Sequence, residues 1–349
     1  MKRIPELDGL RACAIILVVL GHINIRIHSN GEYIEMLRAF AKVGFAGVTL
    51  FFVLSGFLIG SLVFQELQVT GTLTVKRFWM RRILRTWPMY FVALVLHLYF
   101  IAPTTGAPLW SYLTFTQNYF KMNVFIQSWS IAVEEQFYFI FPILIFLTVA
   151  WKKWPMTFPC LAVLLVVPTY LRAQHLWSIQ ASKTHLVMDA LILGLLIAYI
   201  QLHRPHFLEK LCRFPHLLFF SGLALAFGPW FMPLSFDWKA VWLLAFQALG
   251  FGMILISVKS GKSIFSSFLK LPILGAIGLH SYSTYLMHPL VLEGIKVPLN
   301  WYKVSTGPRD LVILVGGLLL CFLTGGFFYR LVERPCLQLR DRISSHSHH

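Results

Sequence analysis

The chain has 349 residues, 57% of them hydrophobic and 13% charged, with a formal net charge of +16. So apolar a composition excludes an ordinary soluble domain and indicates a polytopic membrane protein. The positive excess lies mainly in short segments between apolar runs, where a membrane accounts for it, so membrane lipids rather than nucleic acid are the expected surroundings.

The first stretch, residues 4–27 (IPELDGLRACAIILVVLGHINIRI), reads as a transmembrane helix with a charged beginning and a histidine near its far end. Arg11 and His22 are eleven positions apart. At about 100° per residue both side chains share one face, roughly 16 Å apart along the axis. A spanning helix points such groups at protein or at a water-filled cavity, so this helix is expected to wall a functional cavity. Asp8, three residues before Arg11, is within ion-pair reach of it. No small-residue cleavage site follows, so no cleavable signal peptide is expected.

Ten apolar runs of spanning length follow one another, at about 10–27, 43–64, 87–101, 128–150, 157–171, 184–202, 215–232, 239–258, 271–294 and 308–331. With the N-terminus in the cytosol, the inner segments hold nineteen Lys and Arg and the outer ones ten. The positive-inside rule then puts both termini in the cytosol, a parity that ten spans satisfy. The expected fold is all-α, an integral membrane protein of about ten transmembrane helices around a central cavity. It forms one domain over residues 1–335, followed by a cytosolic, disordered tail over 336–349. Arg11 falls near the inner face and His22 in the outer half.

Several later stretches carry candidate chemistry. KRFWMRRILRTWPMY (76–90) has more cations than an interfacial anchor requires. Arg82 and Arg85 share a face at i, i+3, and the planar guanidinium fork suits phosphate; Arg81 is grouped with them as a ligand of a phosphorylated cofactor. SWSIAVEEQFYFIFP (128–142) opens an apolar span with Glu134 and Glu135, which diverge by about 100°. One is expected to pair with an arginine and tie two helices together, the other to orient a substrate or His22. Tyr138 shares a face with Glu134. In HSYSTYLMHPL (280–290), Tyr282, Tyr285 and His288 share a face, and Pro289 is expected to loosen the helix beside them. Tyr138, Tyr285 and His288 are therefore cavity candidates. Gly56 and Gly60 form a GxxxG pair suited to close helix packing. Asp189 is an intramembrane acid that pairs with Lys183 or lines the cavity. The other histidines read as packed or interfacial. The five cysteines have no paired spacing, and neither a disulfide nor a metal site is expected.

Taken together and in order, IPELDGLRACAIILVVLGH, LFFVLSGFLIG, RRILRTWPMY, WSIAVEEQFYF, HSYSTYLMHPL and LVERP resemble the membrane-bound acyltransferase family 3, the O-acetyltransferase-like integral membrane proteins. The resemblance runs from Ile4 to Pro335. It implies transfer of an acyl group, most often acetyl, from cytosolic acyl-CoA to hydroxyls of an extracytoplasmic glycan or glycolipid at the cell membrane. It further implies His22 as the essential residue of an Arg-x10-His motif with Arg11, donor binding by Arg82 and Arg85, and a functional Glu134. The sequence departs from the family at His288-Pro289, where His-Trp-Pro is common, and at His280, where Arg or Lys is usual. No appended hydrolase-like domain is visible, so transfer is expected to rest on the membrane domain or a separate partner.

In this reading His22 removes the acceptor proton or carries the acyl group transiently, with Asp8 or Glu134 holding its tautomer. The alternative is a proton-coupled transporter or a glycan-export component, since intramembrane Arg, His and Glu also mark proton paths. No repeated or inverted pair of segments favours it.

Overall fold

The computed structural model describes residues 4–24, 43–101, 106–150, 157–174, 182–301 and 310–345, and every regular element among them is helical. The long helices are α1 (Pro5–Asn24), α2 (Ala46–Thr70), α3 (Val75–Phe100), α4 (Trp129–Ala150), α5 (Thr157–Gln174), α6 (Asp189–His203), α7 (Pro215–Phe231), α8 (Phe236–Lys259), α9 (Ser281–Trp301), α10 (Gly317–Phe328) and α11 (Arg334–Ser345). Two π-helical turns, Val312–Gly316 and Tyr329–Glu333, flank α10. Among the described residues six segments are long and apolar enough to cross a membrane. A seventh arises if α6 and the short helix Pro205–Leu211, bent by 110°, count as one. Large apolar side chains such as Val95, Val163, Leu217 and Phe327 are exposed on the outside of the bundle, as a lipid-facing surface requires.

α1 lies innermost. Leu7, Ala12, Ala14, Ile15, Val18, Val19 and Ile23 are buried over about half of its circumference, and Cys13, Ile16, Leu17 and Leu20 on the remainder are half-buried, so no face of its apolar stretch is exposed. It packs against the short helix Pro272–Leu279, against α2 and against α9. The approach to Pro272–Leu279 is close because a Cβ on Gly278 would stand 1.9 Å from the Asp8 carbonyl oxygen. α2 packs on α6 in the same manner. A Cβ on Gly56 would meet the Leu191 carbonyl at 1.9 Å, and one on Gly194 would meet the Val53 carbonyl at 2.2 Å.

Four elements differ from the sequence expectation. α3 begins at Val75, twelve residues before the apolar run at 87, because its cationic first turns are good helix formers and find a cavity or groove on either side. The ninth run is two helices, divided at His280, and the division lets Pro272–Leu279 lie against the start of α1. Pro289 does not loosen α9, which runs unbroken through it. Residues 336–345, expected as a disordered tail, are helical and pack on α3; residues 346–349 lie outside the described residues.

Two segments between apolar runs also matter. The stretch 27–42 lies outside the described residues. Residues 106–128 are folded over one end of the bundle by a short helix (Leu109–Leu113) and a chain of hydrogen bonds. Tyr90 donates to the Tyr112 carbonyl (2.9 Å), and Tyr112 to the Val124 carbonyl (2.7 Å). Asp189 pairs with Arg172 rather than Lys183. The two are fully buried at 2.7 Å, and Arg172 also donates to Thr169 Oγ1 and to the carbonyls of Val241 and Leu186.

Candidate active site

α1, α2, α3, α4 and α9 enclose a cavity of about 100 Å³. Its lining includes Arg11 from α1, Arg82 and Arg85 from α3, and Glu134 and Tyr138 from α4. Three guanidinium groups thus face one carboxylate across a single space. Arg11 donates to Asp8 at 3.1 Å, so the i, i+3 pair read from the sequence forms. Arg82 lies over the rings of Phe78 (5.6 Å) and Tyr138 (5.5 Å), contacts that hold a buried guanidinium by its faces and leave its edges for ligands. The Tyr138 hydroxyl donates to Glu134 at 3.0 Å and is joined to Ser55 of α2.

The two adjacent glutamates part as their helical angle requires. Glu134 lines the cavity, whereas Glu135 accepts from Thr86 Oγ1 (2.7 Å) and Trp87 Nε1 (2.9 Å), tying α4 to α3. Its recorded hydrogen bonds go to a hydroxyl and an indole, where an arginine was expected. A second tie has a backbone cause. Pro142 has no N–H for the Tyr138 carbonyl four residues back, and Trp79 Nε1 donates to that carbonyl at 3.2 Å.

At the far side of the cavity, Tyr285 donates to the Gln127 carbonyl (3.0 Å) and bonds Ser130 Oγ (2.6 Å). His22 does not line the cavity; it stands beyond this link. Its ring meets that of His288 edge to face, with centroids 4.6 Å apart, and that of Phe45 at 5.5 Å. Tyr285 and His288 are themselves in ring contact at 5.7 Å. His22 Nδ1 is 2.9 Å from the Val18 carbonyl, and His288 Nδ1 is 2.6 Å from the Tyr285 carbonyl. A carbonyl only accepts, so each Nδ1 carries the proton and each Nε2 is the basic nitrogen. The imidazole of His22 is therefore held by its own helix. Asp8, expected as one candidate for that task, lies fourteen residues and about 21 Å away along α1 and is engaged with Arg11.

Phe45 also lines a second cavity of about 180 Å³ with Thr49, Trp129 and Leu244, and Val48 and Phe52 line both cavities. His22 thus lies between a basic chamber and a mostly apolar one. Arg81 is absent from either; it faces a groove on the outside of α3. His97 is buried, bonded to the Ala93 carbonyl and to Gln127, as a packed histidine.

Ser130 and Glu333 escape sequence reasoning, and Ser55 reads there only as a small polar group beside the GxxxG pair. Ser55 and Ser130 bond the cavity tyrosines from other helices. Glu333, on the π-helical turn before α11, accepts from Ser283 at 2.6 Å and feels the charges of Arg85 and Arg11. The only signal for Glu333 is its place in LVERP, a motif with no chemistry of its own. Among the described residues no three His, Cys, Asp or Glu side chains stand together as a metal site would need.

This geometry defines a multi-pass helical membrane protein with a buried arginine-lined chamber next to a pair of oriented histidines. The chain belongs to the acyltransferase domain family designated Acyl_transf_3, whose model matches residues 4–341. It is similar to O-acetyltransferase OatA of Staphylococcus aureus strains NCTC 8325, COL and MRSA252, in each case 28% identical over 366 residues. The alignment covers 96% of this chain and 57% of those relatives, so the chain spans little more than half their length. No solved structure matches.

Proposed function

We propose that this protein is a membrane O-acyltransferase that moves an acyl group, acetyl by analogy with its relatives, from cytosolic acyl-CoA to a hydroxyl of an extracytoplasmic glycan or glycolipid. One observation carries the reading: three arginines from two helices share a chamber that a single tyrosine link separates from His22. The donor's phosphates bind at Arg82 and Arg85, and its thin thioester arm passes Arg11. Typical ligand pockets measure about 300–1,000 Å³, so a chamber of about 100 Å³ takes the arm while the nucleotide stays at its mouth. Glu134 and Tyr138 line the path. The acceptor reaches His22 from the side of Phe45.

In the transfer, the acceptor O–H gives its proton to Nε2 of His22 as its oxygen attacks the thioester carbonyl. The C–S bond then breaks, and the proton passes to the departing thiolate, leaving an ester and free thiol. Positioned general bases contribute about 10²–10⁴-fold. The same Nε2 serves if the acyl group rests first on His22. α1, α7 and α9 bring the seven apolar segments to ten spans, with both termini in the cytosol and the protein in the cell membrane.

The test is acyl-CoA binding and slow hydrolysis by purified protein in detergent. Arg82→Ala is expected to lose saturable donor binding. His22→Ala is expected to bind donor and lose turnover, with an unchanged melting temperature. Undiminished turnover in His22→Ala would remove His22 from the chemistry. Folded wild-type protein that binds no donor would favour transport instead.

A further inference from the structure

α3 carries two parallel stripes at the same i, i+4, i+7 spacing. Arg82 and Arg85 face the inner chamber with Phe78 under Arg82, while Arg77, Arg81 and Leu84 face outward, about 100° around the helix. The outward stripe forms one wall of a groove of about 370 Å³, and α11 forms the other. Lys76, Arg77, Arg81 and Arg340 supply its cations. Met80, Leu84 and Ile343 supply an apolar wall, and Met80 and Ile343 are 42% and 48% exposed.

The positive-inside rule explains why cations occur near this end of the bundle. It does not explain why Arg340, more than 250 positions along the chain, is delivered to the groove that Arg77 and Arg81 line. Arg81 feels the repulsion of both Arg340 and Arg77. Among the described residues, Glu66 and Asp341 are the carboxylates that oppose this repulsion at Arg81. Glu66 accepts from the Thr74 N–H at 3.0 Å. Asp341 receives both Nε (2.9 Å) and Nη2 (2.7 Å) of Arg340, yet is itself 63% exposed. Lys76, Arg81 and Arg340 against these two carboxylates leave a net attraction for an anion, and Asp341 is a partner that an incoming anion can replace.

We infer that this groove binds the headgroup phosphate of an anionic phospholipid. The cations hold the phosphate, and the apolar wall of Met80, Leu84 and Ile343 takes the start of an acyl chain. That wall is what separates a lipid from a soluble phosphate, which gains nothing from it. The inference rests on reading these helices as membrane spans and is independent of the donor chemistry.

The experiment counts phosphatidylglycerol and phosphatidylcholine retained by purified protein, using native mass spectrometry from mixed micelles. Wild type is expected to retain phosphatidylglycerol preferentially. At about one cation's contribution each, Arg81→Gln with Arg340→Gln lowers that preference roughly 30-fold, and Asp341→Asn raises it roughly fivefold. Arg204→Gln with Lys210→Gln, an equal loss of charge outside the groove, leaves it unchanged. Melting temperatures report folding, and the Asp341→Asn gain tests the groove even if the double variant unfolds. Equal retention of both lipids by wild type, or equal loss in the Arg204/Lys210 control, overturns the inference. So does displacement of phosphatidylglycerol by adenosine 3′,5′-bisphosphate, which would assign the groove to a soluble phosphate.

Discussion

Pro289 has no N–H to offer the Tyr285 carbonyl four residues back, and the Nδ1–H of His288 takes that place at 2.6 Å. A gap in the backbone ladder thus fixes the tautomer and direction of a buried ring, which in turn packs edge-on against His22. Pro289→Ala returns a competing N–H. It is expected to keep or raise the melting temperature while lowering donor turnover about tenfold, the scale of one orienting hydrogen bond of about 1–1.5 kcal/mol. Unchanged turnover would mean that the setting of His288 does not matter to His22. The shared face of Arg11 and His22 was legible from eleven residues of spacing, and so was the Asp8–Arg11 pair. The hold on His22 was not, because a backbone carbonyl carries no letter in the sequence. For the same reason Pro289 reads as a break, although a neighbouring side chain repairs it.

Helical period explains most of what the elements do, including where a plain reading of charge misleads. Arg82 and Arg85 fall on one face, whereas Arg81 lies about 100° from Arg82; grouping all three follows the run of charge rather than the turn of the helix. Glu134 and Glu135 separate by the same angle, one into the chamber and one onto α3. Contacts between distant elements are less legible. Arg172 looks like a loop cation, yet it is buried between α5, α6 and α8 with Asp189 as its counter-charge. Arg172→Leu or Asp189→Leu alone is expected to cost about 3–5 kcal/mol by stranding a buried charge, and Arg172→Met combined with Asp189→Leu to recover most of it. Denaturant unfolding in detergent measures this. No recovery in the double variant would show that the pair's further hydrogen bonds, and not its charge balance, hold the helices. Gly56→Val, which forces α2 from the Leu191 carbonyl, is expected to lower the melting temperature sharply, while Gly228→Ala, whose added Cβ meets only the Met232 side chain at 3.9 Å, is not.

At the scale of the whole molecule, the proposed ten-span arrangement would put both chain ends on one side. Protease-cleavable tags at the two termini are expected to be cut together in inverted vesicles and to survive together in intact cells; cutting of one alone would reject the parity. Apolar length makes most spans legible in the sequence. The charged turns of α3 and the helical end of α11 are not, because their environment is supplied by each other. The wall shared by the two cavities, Val48 and Phe52 with the Tyr285–Ser130–Gln127 link beside it, has one more consequence. If, as proposed, the donor enters the first chamber from the cytosol and the acceptor reaches the second from outside, the two meet at this partition, which then also insulates the cell against ion flow. In the proposed transfer, acyl groups must cross where protons must not. Cells carrying Tyr285→Ala are expected to lose membrane potential in proportion to the amount of protein they make, a current that an ordinary loss of catalysis would never produce.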